Sequence, residues 1–302
     1  MSRYFNTGGP IIPEDNYFID PLSRVDWHEI QALIDRKRYF VLHAPRQSGK
    51  TTLLNAIVKR LNADGKFDAL YVNVERAQAA RNDFEKGDAM VAARLVDAAE
   101  NWLPDCWLAR EGRQLMSARD PGARVYALLN RWAVCNEKPT VLIVDEIDAL
   151  IGDTLVTILH ELRDGFNERP RKFPQSIMLC GVRDLRDYRI HTTKGEVQTG
   201  SGCFNVKARS LVLGNFTEAD IRELYGQHTV ETGQAFEDAV VPRVMAMTGG
   251  QPWLVNALAG ELTEYMPQFS DRRTVITVDG LEEAKELLFM RGETHIDDLA
   301  GR

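Results

Sequence analysis

Residues 44–52 read APRQSGKTT, and this stretch decides the fold. Gly49, Lys50 and Thr51 match the end of the phosphate-loop pattern GxxxxGK[ST]. The stretch follows the apolar run YFVLH at residues 39–43, which predicts a buried strand, and it precedes TTLLNAIVKRLN, whose apolar residues have helical spacing. Because the pattern requires a loop between a strand and a helix, the sequence predicts a phosphate-binding loop here.

The residue types of this loop suit a polyphosphate, because backbone N–H groups and the positive end of a helix dipole would face the anion. We expect Lys50 to reach the β- and γ-phosphates, the Thr51 hydroxyl to ligate Mg²⁺, and Thr52 to lie near the α-phosphate. Gly49 would let the backbone approach closely. This chain has Ala44 where the pattern has its first glycine. Alanine is the smallest substitute, and it fits if its φ stays negative. The predicted phosphate-binding residues are Ala44, Pro45, Arg46, Gln47, Ser48, Gly49, Lys50, Thr51 and Thr52.

A second motif, VLIVDEID at residues 141–148, places two carboxylates after a buried strand. Ligands bind at the carboxyl edge of open α/β sheets, so we expect Asp145 to hold the Mg²⁺ shell and Glu146 to polarise the attacking water. An isolated pair of this kind would more often be a solvated helix start, but the upstream phosphate loop favours the catalytic interpretation. Asp148 is interpreted as a helix-start residue.

Further apolar runs predict strands at residues 69–74, 176–180 and 210–213, alternating with helices. A helix is expected from Ser23 or Asp26 to Arg36, after an extended arm at residues 1–16. The strand at 69–74 lies between the two motif strands, which favours the P-loop NTPases with an added central strand and a catalytic Glu (the ASCE branch). The predicted fold class is therefore α/β, a five-stranded parallel sheet with flanking helices.

The domain organisation follows from where the strands stop. Residues 1–214 are predicted to form the P-loop core, with a helical insertion at about 83–136 that is broken near Pro104 and Pro121. After Asn215 we expect helices at 216–228, 236–250, 252–265 and 278–289, with Thr217 as an N-cap. Residues 215–302 thus form a predicted all-helical lid subdomain.

Composition excludes several classes of protein. The chain has 302 residues, 44% hydrophobic and 27% charged, which is ordinary for a globular protein and unlike a disordered or collagen-like chain. The four cysteines form no CxxC pair and the six histidines no HExxH motif, so no zinc site is indicated. We find no membrane span or secretory signal and expect a cytoplasmic protein. The net charge of −7 does not indicate nucleic-acid binding, although a local basic face would allow it.

These motifs resemble the AAA+/STAND side of the P-loop ATPases (STAND: signal-transduction ATPases with numerous domains). More narrowly, they resemble bacterial AAA-like proteins whose loop reads APRQ(S/T)GKTTLL. The resemblance covers nearly the whole chain and implies ATP or ADP with Mg²⁺ as cofactors. It also implies that the segment at residues 17–34 packs beside the adenine, with Tyr17, Phe18 and Ile19 as candidates, although such a run is often plain core.

The resemblance implies two more nucleotide contacts. Arg183, in CGVRD after the fourth strand, stands where STAND proteins carry the sensor 1 arginine; the alternative is a solvated arginine in a charged run. Pro252, in Gly250-Gln251-Pro252, is similar to the GxP proline of the lid; the alternative is an ordinary first-turn proline. Several arginines are eligible as an arginine finger by position: Arg163, Arg169, Arg171, Arg189 and Arg209. The last stretch, RGETHIDDLAGR, is similar to the start of a region that continues in related proteins.

The leading hypothesis is an ATPase that hydrolyses ATP slowly and whose nucleotide state switches the lid to gate a protein partner or assembly. One alternative is a DNA-linked accessory ATPase of the transposition or replication type, using the basic stretches at 163–172 and 183–194. Another is a module that holds nucleotide without hydrolysing it. The protein partner or effector stays unidentified, and a homo-oligomer is compatible with the resemblance.

Overall fold

The computed structural model describes residues 3–184, 187–193 and 197–291, and its central feature is a five-stranded parallel sheet. The strands of this sheet are β1 (Tyr39–His43), β2 (Asp68–Asn73), β3 (Thr140–Asp145), β4 (Ser176–Gly181) and β7 (Lys207–Val212). Two short strands, β5 (Arg189–His191) and β6 (Val197–Thr199), form a separate ribbon. Across the sheet the order is β2-β3-β4-β1-β7, and every neighbouring pair is parallel. The predicted α/β fold with a five-stranded parallel sheet is therefore confirmed.

The burial of each strand explains whether it could be predicted from the sequence. Strands β3 and β4 are buried at every position, as helix-covered parallel strands are, and so they read as continuous apolar runs. The edge strand β7 begins at Lys207, three residues before the predicted start at Ser210, because partly exposed edge positions accept Lys207 and Arg209 without an apolar run. The antiparallel ribbon of β5 and β6 was not predicted, since each strand has only three residues.

The helices surround this sheet or follow it in the chain. They are α1 (Trp27–Asp35), α2 (Lys50–Asp64), α3 (Phe84–Trp102), α4 (Trp107–Ser117), α5 (Arg124–Cys135), α6 (Gly152–Asp164), α7 (Gly200–Cys203), α8 (Glu218–Thr232), α9 (Val240–Thr248), α10 (Pro252–Gly260) and α11 (Val278–Met290). Of the two candidate starts for α1, the cap is Asp26, whose carboxylate accepts the Glu29 N–H at 3.0 Å. Helices α3, α4 and α5 occupy the stretch at 83–136, and the two breaks between them contain Pro104 and Pro121.

The helix predicted at 236–250 begins late, at Val240. Phe236 instead pairs with Ile276 in an isolated parallel bridge, which holds the preceding residues extended. Pro242 is tolerated in the first turn of α9, where a backbone N–H has no partner within the helix. Helix α8 begins at the predicted cap, Thr217, which forms a reciprocal capping box with Asp220.

By their packing, the described residues divide into two compact units. The helical unit comprises those within Met1–Val25, Arg46–Thr52 and Gly214–Arg302, and the sheet unit those within Asp26–Pro45 and Leu53–Leu213. Each unit has its own apolar core. In the helical unit, Phe5 of the N-terminal arm and Tyr17, which directly follows the arm, pack among the C-terminal helices. No helix among the described residues has both the length and the apolar content that crossing a bilayer requires.

Two carboxylates lie inside the sheet unit, where they connect the helical insertion to α6. Asp88 accepts the Gly122 N–H at 2.8 Å and Glu161 accepts the Tyr126 N–H at 2.8 Å. Both side chains are buried, and the Arg124 guanidinium reaches Asp88 at 3.5 Å. Burial, followed by the neighbouring Asp88 carboxylate, raises the pKa of Glu161 to about 8.

Replacing Glu161 by Gln is expected to stabilise the protein at pH 8 more than at pH 5. A raised pKa means that the folded state binds the proton more tightly than the unfolded state does. The Glu161 carboxyl therefore destabilises the folded state least when the pH is below its unfolded pKa. Its ionisation then lowers the free energy of unfolding as the pH rises from about 5 to about 8. Glu161→Gln keeps the acceptor for Tyr126 without the ionisation, and at pH 8 we expect a gain of about 1–3 kcal/mol.

Urea unfolding at the two pH values measures this difference. The matched control is Glu111→Gln, since Glu111 is an exposed carboxylate on α4 of the same insertion. If the wild type and Glu161→Gln lose stability in parallel from pH 5 to pH 8, the pair does not titrate as described.

Candidate functional site

The phosphate loop is the connection between β1, which ends at His43, and α2, which begins at Lys50. Two of its residues have positive φ, Gln47 at 57° and Gly49 at 83°. Glycine adopts this conformation freely, whereas Gln47 does so at a free-energy penalty of about 1 kcal/mol. The loop thus turns sharply and delivers Lys50, which is buried, at the N-terminus of α2. The first N–H groups of a helix have no partners within it, so this end can bind an anion.

Ala44 occupies the position where the pattern has glycine, and the structure accommodates it. Its φ is not positive, as the sequence argument required, and the residue is completely buried. The Ala44 N–H donates to the Gly181 carbonyl at 3.2 Å, which continues the pairing of β1 with β4 by one residue. The loop therefore starts at the sheet edge where β4 ends.

The two carboxylates stand at the same edge of the sheet unit, at the end of β3. Asp145 is completely buried; its Oδ1 accepts the Glu146 N–H at 2.9 Å and its Oδ2 accepts the Tyr71 hydroxyl at 2.9 Å. Glu146 is left-handed, with φ 58° and ψ 40°, so the chain turns away from the strand directly after Asp145. Tyr71 lies on β2, paired with Ile143 of β3, and sequence analysis missed it. Only the pairing of β2 with β3 brings its hydroxyl to Asp145.

Asp148 does more than begin a helix. Its Oδ2 accepts the Val182 N–H at 3.2 Å, which joins the segment after β3 to the segment after β4. A Cβ on Gly181 would lie 2.9 Å from Asp148 Oδ1, so a larger residue there would displace the Asp148 side chain. Arg183 follows directly and is exposed. The interpretation of Asp148 as a helix-start residue alone was incomplete, because the contact is made across two strands.

On the other side of Arg183, the chain is anchored by Asp184. This buried carboxylate accepts the Lys207 ammonium at 2.6 Å and the Ser210 hydroxyl, both from β7. The backbone of Arg183 is thereby held between two fixed neighbours at the sheet edge. In the sheet unit the structure thus brings four predicted site residues to one edge: Ala44, Asp145, Glu146 and Arg183.

The GxP segment lies in the helical unit. Pro252 is the first residue of α10 and is buried, as a first-turn proline can be, and Gln251 caps the helix by accepting the Leu254 N–H at 2.6 Å. Gly250 has φ 75°, and a Cβ there would lie 1.9 Å from the Phe216 carbonyl oxygen. The glycine is therefore required by its contact with the Phe216 backbone. Contact of Pro252 with nucleotide stays a prediction.

The candidate adenine contacts also belong to the helical unit. Tyr17 is buried and packs edge-on against His228 with ring centres 5.6 Å apart, and Ile19 is buried in the same core. The Phe18 backbone is bonded twice by the Gln227 amide, at 3.2 and 2.7 Å. These contacts fix the segment on α8, and a role beside adenine stays a prediction.

Two of the candidate finger arginines are engaged inside the sheet unit. Arg209 pairs with Glu29 at 2.5 Å, and Arg169 stacks on the Phe166 ring and donates to the Lys37 carbonyl. By contrast, Arg24 of the helical unit was missed by sequence analysis although it bonds the phosphate loop, donating to the Ser48 carbonyl at 2.9 Å. The basic stretch at 183–194 and the tail from residue 292 lie partly or wholly outside the described residues.

Comparison with known proteins gives the same fold. The Walker-type ATPase PABY2304 of Pyrococcus abyssi matches with 14% identity and a TM-score of 0.57, over 95% of this chain and 77% of that chain. The ORC2 protein of Aeropyrum pernix, in complexes with ADPNP and ADP, matches with 17% identity and a TM-score of 0.53, over 89% and 70%. A RuvB structure from Thermotoga maritima matches with 16% identity and a TM-score of 0.48, over 86% of this chain and only 65% of that chain's length.

At these identities the likeness to the PABY2304 and ORC2 structures establishes the fold and nothing finer. A search of curated proteins finds no match. A family model described as AAA domain matches residues 34–188, which include the phosphate loop, both carboxylates and Arg183 and make up slightly more than half of the chain. The chain therefore belongs to the AAA domain family and has the α/β fold of the P-loop ATPases.

Proposed function

We propose that this protein binds ATP with Mg²⁺, hydrolyses it slowly, and uses its nucleotide state to switch the C-terminal helices and gate a protein partner, as a STAND-type ATPase would. The observation that carries the proposal is the start of the phosphate loop. Ala44 continues the pairing of β1 with β4, and β4 neighbours β3, whose end carries Asp145 and Glu146. The strand that leads into the loop therefore ends at the same edge of the sheet as the two carboxylates.

In the proposed site, each residue type has a chemical task. Lys50 would contact the β- and γ-phosphates, while the loop amides surround the phosphate oxygens. Glu146 would accept a proton from water as the water oxygen attacks the γ-phosphorus, and the bond to the β-phosphate oxygen breaks to release ADP and phosphate. Arg183, at the edge after β4, would stabilise charge on the γ-phosphoryl oxygens.

The residues present fit a magnesium ion. Mg²⁺ keeps several waters and binds few protein oxygens, which suits one hydroxyl, Thr51, and one carboxylate, Asp145. The Tyr71 hydroxyl and the Glu146 N–H hold the Asp145 carboxylate in one orientation, and a carboxylate oxygen can accept a second donor, such as a water bound to the ion. When bound, the ion would supply charge neutralisation between the β- and γ-phosphates.

The nucleotide itself is supported by a structural relative and by the loop. The ORC2 protein, which shares the fold of this chain, forms complexes with ADPNP and ADP. The loop of this chain supplies its own argument, since a buried lysine at the N-terminus of α2 suits a polyanion. Tyr17, Phe18, Ile19 and Pro252 belong to the proposal as contacts of the base.

One arginine of the basic stretches named for the DNA-linked alternative is engaged within the sheet unit. Within the basic stretch at 163–172, the Arg169 guanidinium lies against the Phe166 ring and near the Tyr39 ring, at 3.4 and 4.9 Å from the ring centres. It is therefore not presented to a phosphate backbone. A salt-dependent mobility shift with duplex DNA remains the measurement for this hypothesis.

Replacing Lys50 by Ala is expected to weaken ATP binding at least about 100-fold, because the variant loses the cation between the phosphates. Glu146→Gln should bind ATP within about threefold of the wild type but release phosphate at least about 100 times more slowly. Titration with a fluorescent ATP analogue and a phosphate-release assay measure the two effects.

The control for the first variant is Lys59→Ala, since Lys59 is an exposed lysine further along the same helix. Equal ATP affinity in the wild type and Lys50→Ala would contradict the proposed site. Tight binding without phosphate release by the wild type would favour the non-hydrolysing module.

Replacing Tyr71 by Phe is expected to raise the Mg²⁺ concentration that half-saturates phosphate release by about 3–10-fold. The variant removes one neutral hydrogen bond that orients the Asp145 carboxylate, and the net contribution of such a bond, about 1 kcal/mol, corresponds to a change of this size. Tyr126→Phe is the matched control, because it removes a hydroxyl bonded to another carboxylate of the sheet unit, Glu168, at 3.0 Å. An unchanged Mg²⁺ dependence in Tyr71→Phe would show that the Tyr71 hydroxyl does not support metal binding at Asp145.

A further inference from the structure

Arg24 connects the phosphate loop to the segment that leads into the C-terminal helices. One nitrogen of its guanidinium donates to the Ser48 carbonyl at 2.9 Å, and another donates to the Gly214 carbonyl. The guanidinium carbon lies 4.8 Å from the centre of the Phe216 ring. All of these residues belong to the helical unit. A single planar group therefore contacts the loop, the backbone at residue 214 and an aromatic ring at once.

The bond to Ser48 determines the direction of a loop amide. In a trans peptide, the carbonyl of one residue and the N–H of the next point in opposite directions. Holding the Ser48 carbonyl toward Arg24 therefore directs the Gly49 N–H away from Arg24. A Cβ on Gly49 would lie 3.0 Å from the Arg24 nitrogen, and Gly49 has φ 83°. Gly49 is thus needed on the side of Arg24 as well as on the side predicted to face the phosphates.

The other contacts of Arg24 continue to the GxP segment. The Phe216 N–H donates to the Gly250 carbonyl at 2.8 Å, and the Asn215 side chain donates to the Gly249 carbonyl at 3.0 Å. A Cβ on Gly250 would strike the Phe216 carbonyl oxygen. Phe216 is thereby held against the residues that begin α10. The ring on which Arg24 stacks has its position set by the GxP segment.

The charge of Arg24 suits a position behind an anion site. Burial lowers the pKa of Arg24 to about 10, which leaves the guanidinium cationic at neutral pH. The acceptors of its described hydrogen bonds are carbonyl oxygens, which do not cancel its charge. A half-buried cation next to the loop favours a polyphosphate on the loop, because surroundings of lowered dielectric constant screen charges less than bulk water does.

We propose that Arg24 is a positioning residue of the nucleotide site: it holds the Ser48–Gly49 peptide in the orientation that binds phosphate and couples this orientation to the contact between Phe216 and the GxP segment. The inference rests on the proposed ATP binding and assigns a residue that the phosphate-loop motif does not contain. Arg24 acts through the loop backbone and the Phe216 ring, so it is distinct from the groups that would touch the phosphates.

The test compares Arg24→Lys and Arg24→Gln with the wild type. A lysine ammonium keeps the charge but lacks the planar group that bonds two carbonyls and stacks on a ring together. We expect Arg24→Lys to bind a fluorescent ATP analogue about 5–20-fold more weakly, mostly through faster dissociation in stopped-flow measurements, and Arg24→Gln at least about 30-fold more weakly. Phe216→Leu keeps an apolar side chain without the ring and should weaken binding about 3–10-fold.

The matched control is Arg291→Gln in the same unit. Arg291 pairs with the buried Glu261 at 2.6 Å, and none of its described contacts involves the loop or residues 214–216. This variant should lower the urea midpoint but leave ATP affinity and dissociation within about twofold of the wild type. It therefore reports what loss of stability alone does to binding.

The outcomes separate the inference from the proposed function. If the wild type binds ATP, Lys50→Ala does not, and both Arg24 variants bind and release ATP as the wild type does, the inference is overturned and the proposed function stands. If Arg291→Gln loses as much affinity as Arg24→Lys, Arg24 is merely structural and the inference is overturned. If the wild type itself fails to bind ATP, the proposed function is overturned and the inference falls with it.

Discussion

The parallel pairing of β1 with β4 is the constraint on which the rest of the site depends. Its register runs from Phe40 opposite Met178 to His43 opposite Gly181, and the Ala44 N–H adds one more bond. Because parallel strands end at the same edge, this pairing fixes where the phosphate loop begins relative to the ends of β4 and β3. A shift of one residue would turn every buried side chain of β1 to the other face, so the register is strongly specified.

The parts of the fold that could be predicted from the sequence are those with local signals. Buried parallel strands such as β3 appear as unbroken apolar runs, and the loop carries a motif with a defined spacing. The start of β7 was harder to predict from the sequence, since an edge strand tolerates Lys207 and Arg209 among apolar residues. The late start of α9 depends on the pairing of Phe236 with Ile276. Because the two residues are distant in the sequence, no local pattern predicts this pairing.

The residues of the candidate site also fall into those that the sequence predicted and those that only the structure reveals. Gly49, Lys50, Thr51, Asp145 and Glu146 were named from motifs, but the residues that support them came only from tertiary contacts. Tyr71 reaches Asp145 because β2 pairs with β3, and in the sequence it is one aromatic residue in a strand. Asp148 reads as a helix start until its bond to the Val182 N–H is seen. Supporting residues of this kind follow from strand order, which propensity and spacing do not determine.

The strength of the contacts around Arg24 limits what they can do. A hydrogen bond from a charged group to a carbonyl contributes on the order of 1.5–3 kcal/mol, and an arginine stacked on an aromatic ring adds on the order of 1 kcal/mol. Inverting a two-state equilibrium from 1:99 to 99:1 requires about 5.5 kcal/mol of differential binding. Arg24 bonds Ser48 on one side and Gly214 on the other, so loss of one of these contacts changes the balance by a part of that amount. Contacts of this size bias a conformational equilibrium without locking it, which is what the proposed switch would require in order to return to its starting state.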